Sequence, residues 1–245
     1  MIGIENIFII NLNRRSDLLE NIKYVFDFIN DNYNINIQRI EGIDTIENVK
    51  NNNLIFNNFI TNETLSLSAT GLRKNKFNVL GEIGCYLSHK KCWEKILSDK
   101  LNNTLILEDG IIFHKHNFNN NIDINTDFDI IFTNKEMTYT NNYLTGYGLQ
   151  SYIVSNKGAK KLLSECYSLT LPIDLQIRQL CNEKKIIWYV YSYFVERNNN
   201  RTSSISNDKI NFNDTNLNDK QSMDPIIVRI IKNMILKNIS IFDFI

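Results

Sequence analysis

Two adjacent carboxylates, Glu108 and Asp109, close the apolar run Thr104-Leu105-Ile106-Leu107 and are followed by Gly110. Carboxylates at a strand end can hold a divalent cation, or they can belong to a solvated turn. Successive strand residues point to opposite faces, so both acids reach one ion only where the chain leaves regular β geometry, which Gly110 permits. Upstream, Glu82, Cys85, His89, Cys92 and Ile96 recur at spacings of three and four and share one stripe of a helix. A structural zinc site needs four ligands and no second cysteine pair is present, so this stripe reads as buried with a satisfied histidine. Ser88 and His89 are consecutive and point about a hundred degrees apart on a helix, which rules against a direct nucleophile-base dyad. Arg14 and Arg15 follow another apolar run, where guanidinium groups make charge-assisted bonds to phosphate or flank a solvated helix entrance. Asp174 follows Pro172 at a helix start, where the dipole favours its charged form, as a first-turn residue or as a functional acid.

Alternating strands and helices must position these groups. Glu5 to Leu12 reads as a buried strand. A helix with Ser16 as N-cap follows, carrying Leu18, Leu19, Ile22, Val25, Phe26 and Ile29 at helical spacing. Ile35 to Ile40 is a second strand, ending at Gly42-Ile43-Asp44. Residues 46–78 read as irregular, with a short helix and a loop. A long helix from about Leu80 to Asp99 precedes the strand that ends at Glu108. Phe128 to Thr133 and Ser151 to Ser155 are further strands. Asn156 caps a helix through Cys166, Pro172 opens another as its first residue, and Ile186 to Val195 is a long strand. This alternation predicts an α/β fold with a mixed central sheet and flanking helices over residues 1–197. Residues 198–223 are polar and read as a flexible loop or linker, and 224–245 as an amphipathic C-terminal helix.

With 27 basic and 27 acidic residues among 245, the chain has no strong field for nucleic acid or anionic lipid, and its partner is expected to be small. Membrane-surface contact through 225–239 is the lesser alternative to packing of the last helix on the domain. The chain shows no membrane-spanning run and no secretory leader, so a cytoplasmic location is expected, and the four cysteines are expected as reduced thiols.

The string Gly81-Glu82-Ile83-Gly84-Cys85-Tyr86-Leu87-Ser88-His89, followed by Trp93, resembles the GEIGC-x-LSH-x-x-x-W block of glycosyltransferase family 25. Leu107-Glu108-Asp109-Gly110 is similar to that family's LEDD, with glycine for the last acid. Asn11 to Arg15 resembles its NLxRR, Arg39 to Asp44 its R-x-x-A-x-D, Tyr152 to Leu162 its Y-x-I-S-x-x-G-A-x-x-L block, and Pro172-Ile173-Asp174 its PVD. The resemblance implies a GT-A-like nucleotide-diphospho-sugar transferase that moves a hexose, galactose or glucose, from a UDP-sugar to a hydroxyl of a glycan or modified protein, with inversion. It implies a divalent metal, Mn2+, on Glu108 and Asp109. It also implies donor contacts from Asn11, Arg14, Arg15, Asp44, Ser88 and His89, with Asp174 as the base for the acceptor hydroxyl. Gly110 keeps in view a non-catalytic homologue that binds a nucleotide-sugar or glycan, and a UDP-sugar hydrolase with water as acceptor is the other alternative.

Overall fold

The run Asn-Ile-Phe-Ile-Ile-Asn is buried at every position and forms a central strand, as a short apolar run between polar residues should. The computed structural model describes residues 2–45, 47, 79–124, 126–167 and 171–198. The irregular stretch and short helix expected over 46–78, the linker and the C-terminal helix therefore lie outside the described residues, apart from a few positions at their edges. In chain order the elements are β1 (Ile2–Gly3), β2 (Asn6–Asn11), α1 (Leu19–Asn32), β3 (Asn36–Glu41), α2 (Val79–Ser98), β4 (Thr104–Glu108), β5 (Ile111–Phe113) and β6 (Asn121–Ile122). They continue with β7 (Ile130–Asn134), β8 (Met137–Thr140), β9 (Tyr143–Gly146), β10 (Ser151–Val154), α3 (Asn156–Glu165), α4 (Ile173–Asn182) and β11 (Trp188–Arg197).

Seven strands form one mixed sheet in the order β3-β2-β4-β10-β7-β11-β5. β2 runs parallel to β3 and β4, β10 is antiparallel to β4 and β7, and β11 is parallel to β7. The fold is thus α/β with a mixed sheet and helices on both faces. One face packs Phe8, Ile10, Ile106, Tyr152 and Phe132 against Trp93 and Ile96 of α2, Leu162 of α3 and Ile177 of α4. The other packs Ile7, Ile9, Leu105, Leu107 and Ile153 against Ile22, Val25 and Ile29 of α1. Strand alternation sends each residue to one of these two cores.

Helix starts differ from the sequence reading in three places. Ser155, not Asn156, caps α3, because its Oγ accepts from Gly158 N at 2.9 Å. The Asn156 amide instead donates to the carbonyls of Ile96 and Leu101, closing the end of α2 from outside. Pro172 lies one residue before α4 in extended geometry, ψ 137°, so it is the N-cap and not the first helical residue. Ser16 opens a 3-10 turn over Ser16–Leu18, which precedes α1 and has no side-chain cap. The short strands β1, β5 and β6 and the β8–β9 hairpin were not legible, since two to four residues give too few alternations to register.

Candidate active site

The parallel strands β2, β3 and β4 end together, and the sequence-predicted residues collect at those ends. On β4, Glu108 pairs with Ile10 of β2, and its backbone N–H donates to Gln150 O at 3.0 Å. α2 is pressed against the turn after β3. A Cβ on Gly84 would lie 2.7 Å from the Ile43 carbonyl, so glycine is what allows this approach. Ser88 fastens the contact, accepting from Ile43 N at 2.8 Å and donating to Gly84 O at 2.6 Å. Its hydroxyl is buried and spent within the protein.

The next residue, His89, is 1 % exposed and links two elements. Trp93 Nε1 donates to the Tyr152 oxygen at 2.9 Å, that oxygen stands 2.9 Å from His89 Nδ1, and His89 Nε2 stands 3.3 Å from Glu108 Oε1. The Tyr152 hydroxyl finds no other acceptor among the described residues, so it donates to Nδ1. The neutral imidazole then carries its proton on Nε2, toward the carboxylate. The result is a directed chain, Trp93 to Tyr152 to His89 to Glu108, buried except at its last member, whose side chain is 30 % exposed. The Trp and His of the GEIGC block and the Tyr of the later block are thereby parts of one device. Sequence spacing alone could not join them, because Tyr152 lies far from His89 in the chain and meets it through sheet register.

Cys85, also on this face, offers its sulfur within 4.8 Å of donor atoms of His89 and Glu108. Burial raises the thiol pKa well above its ordinary value, and the carboxylates of Glu108, Asp174 and Glu82 push it further. Asp174, in the first turn of α4, accepts from Gly148 N at 2.8 Å. Glu82, Glu108 and Asp174, remote in sequence, are thus all near enough to Cys85 to act on its charge. With both imidazole nitrogens already bonded, Glu108 is the member of the Cys85, His89 and Glu108 group left to hold a divalent cation.

Asp109 is placed differently from its neighbour. It lies on the α1 side, where Asn11 Nδ2 donates to its Oδ2 at 2.7 Å and Asn21 of α1 donates to its backbone carbonyl at 2.9 Å. The two acids thus leave β4 on opposite faces and do not converge on one ion in this structure. β4 ends at Glu108 and the chain bends through Asp109 and Gly110, with the Asp109 carboxylate turned to Asn11. Asn11 is oriented by Arg39, which donates to its Oδ1 at 2.8 Å and to Asn13 at 2.7 Å. Arg14 pairs with Asp44, joining the ends of β2 and β3, and Arg15 pairs with Asp17 at 2.8 Å.

Burial raises the Asp109 carboxyl to about 6, with Glu108 adding to the shift and the Asn11 bond opposing it. The sign follows from which state holds the proton. Between about pH 4 and 6 the folded chain keeps it while the unfolded chain releases it, so stability falls as pH rises through that window. At neutral pH the ionised carboxylate costs about 1–3 kcal/mol. Asp109→Asn is therefore expected to melt higher than wild type at pH 7.5 in chelator and to converge with it at pH 4. Parallel melting curves at both pH values check this, and an equal offset at each would refute the assignment.

Residues 4–145 match the model of glycosyltransferase family 25 (LPS biosynthesis protein). Human procollagen galactosyltransferase 2 is 27 % identical over 135 residues, 46 % of this chain and 21 % of that protein. A Drosophila melanogaster glycosyltransferase 25 family member is 26 % identical over 198 residues, 71 % of this chain and 30 % of its own length. These alignments thus span less than a third of either relative. Among solved structures, a glycosyltransferase involved in glycosylation of the major capsid of PBCV-1 superposes with TM-score 0.44 and 11 % identity, covering 81 % of this chain and 94 % of that one. A Drosophila β1,4-galactosyltransferase 7 variant, solved with manganese, UDP-Gal and xylobiose, gives 0.38 and 9 %, covering 80 % and 68 %. Among the described residues, no helix is long and apolar enough to cross a membrane. The family's pattern runs through more than half of the sequence, and the chain belongs to glycosyltransferase family 25.

Proposed function

We propose that this protein transfers a hexose, galactose or glucose, from a UDP-sugar to a hydroxyl of a glycan or modified protein, with inversion at the sugar carbon. The observation that carries the reading is Glu108 at the end of β4, held by the buried Trp93-Tyr152-His89 chain, with Asp174 accepting from Gly148 N two residues before Gln150, the strand neighbour of Glu108. Single displacement needs one base and no covalent sugar-enzyme intermediate. Asp174 takes the proton of the acceptor hydroxyl as its oxygen bonds to the anomeric carbon. The bond from that carbon to the diphosphate breaks, and its electron pair leaves with UDP. Glu108, oriented by His89, would hold a divalent ion such as Mn2+. An ion there supplies charge neutralisation for the departing diphosphate. Asn11, Arg14, Arg15 and Asp44, at the ends of β2 and β3, form the nucleotide side of the site, where guanidinium groups bind phosphate and a carboxylate accepts from ribose or base. Ser88 and His89 act from behind this surface, through Ile43 and Glu108. Asp109 serves the nucleotide side through Asn11 in this arrangement.

Gly110 favours one further reading, a chain that binds the donor without transferring it. Mass spectrometry of the products from UDP-galactose and UDP-glucose, with and without a panel of hydroxyl-bearing glycans, separates the outcomes. Transfer predicts an acceptor heavier by one hexose. Free hexose that added acceptors never divert would mean hydrolysis, and donor binding without either product would mean a binding protein.

A further inference from the structure

Next to Glu108 the sheet carries a second polar row to which the transfer chemistry gives no task. The pair Leu107–Ser151 continued by one residue, and Tyr152–Phe132 continued by two, place Gln150 between Glu108 of β4 and Asn134 of β7. All three share the sheet face that carries Ile106, Tyr152 and Phe132, the face packed against α2 and α4. Gln150 is 8 % exposed and Asn134 1 %, so two carboxamides are buried at the edge of an apolar layer. Asn134 Nδ2 donates to Gln150 Oε1 at 3.0 Å.

The position of the Gln150 side chain is built into the sequence. Gly148 has φ +85°, and a Cβ there would lie 2.2 Å from Gln150 Nε2 and 2.3 Å from Oε1. Only glycine lets the carboxamide lie against this stretch of backbone. The N–H of the same Gly148 is the one bound by Asp174. Gln150 is thereby locked between the residue that carries the metal role and the residue that carries the base role.

The pair is incompletely satisfied. Asn134 Oδ1 is buried without a hydrogen-bond partner, whereas Gln150 Nε2 bonds to no described residue and keeps some exposed surface. If both amides are turned over, the same count results: one N–H2 and one carbonyl stay unmatched. A held carboxamide with an unpaired N–H2 that can be reached at the end of the sheet is a donor for a ligand oxygen. A sugar hydroxyl supplies such an oxygen.

We propose that Gln150, held in place by Asn134 and Gly148, binds a hydroxyl of the transferred hexose and determines which hexose is accepted. The inference rests on the nucleotide-sugar reading above. It names a residue that none of the family's motif blocks contains.

Equilibrium binding of UDP, UDP-galactose and UDP-glucose to the full chain tests it, using wild type, Gln150→Ala and Gln150→Met. The Met variant keeps the side-chain volume if the smaller one fails to fold. A single lost hydrogen bond to a sugar hydroxyl predicts about tenfold weaker binding of the preferred UDP-hexose, reduced discrimination between the two hexoses, and unchanged binding of UDP. Equal weakening of UDP and UDP-hexose, or no weakening of either, overturns the proposal while leaving the donor class intact. Failure of UDP and both UDP-hexoses to bind wild type would remove the donor reading and this inference together.

Discussion

Glu108→Gln is expected to lower turnover at least a hundredfold while leaving the melting temperature within a few degrees of wild type. The amide keeps the shape of the carboxylate and an oxygen to accept from His89 Nε2, so the buried chain behind it survives. What is lost is the negative charge at the mouth of the site. Removing one preorganised electrostatic contact to a developing charge typically costs about 10²–10³ in rate. A partly exposed carboxylate with one long bond to histidine contributes little to folding. The pairing of a large kinetic loss with a small thermal change therefore distinguishes a ligand-binding acid from a structural one. A variant that keeps a third or more of wild-type turnover would show that Glu108 does not carry the phosphate-side charge.

Gly110→Asp is expected to act in the opposite direction, raising Mn2+-dependent turnover at least tenfold at limiting metal. Nothing lies within 4 Å of a Cβ built at this glycine, and its φ is not in the left-handed region, so a side chain enters without strain. Position 110 lies in the bend just after β4, so an added carboxylate enters open space at the same strand end as Glu108 while Asp109 stays with Asn11. LEDD thus offers a further acid at this strand end that LEDG lacks. Gly110→Asn supplies the same volume without the charge and should gain far less. If wild type is already fully active and metal-dependent, and the aspartate adds nothing, then one acid suffices and the binding-protein reading falls.

Much of this arrangement was open to the sequence. The buried strands β2, β4 and β10 follow from short apolar runs, and the spacing of His89 and Cys92 follows a buried helical stripe that Cys85 borders. Gly84 and Ser88 could be marked from the resemblance, but their work, close approach to Ile43 and a clamp on its N–H, exists only once α2 meets the turn after β3. Register was the main barrier. It brings Tyr152 to His89 and Gln150 to Glu108, and no local pattern encodes which strands become neighbours. The faces of Glu108 and Asp109 depended on whether the strand stays regular through its last residue, which Gly110 permitted either way. Arg39 entered only as part of a motif. Its bonds to Asn11 and Asn13 come from the parallel pairing of β2 with β3. Caps were displaced by one residue because Ser155 and Asn156 are both good capping residues, and tertiary contacts with α2 decide between them.

The most direct test of donor use at the Glu108 end of the sheet is nucleotide release from a panel of UDP-sugars by the full chain, measured with Mn2+ and with chelator, beside Glu108→Gln. The account predicts UDP release from UDP-galactose or UDP-glucose in the presence of Mn2+, largely lost in chelator and in the variant. Absence of binding and of turnover with every donor in the panel would contradict it.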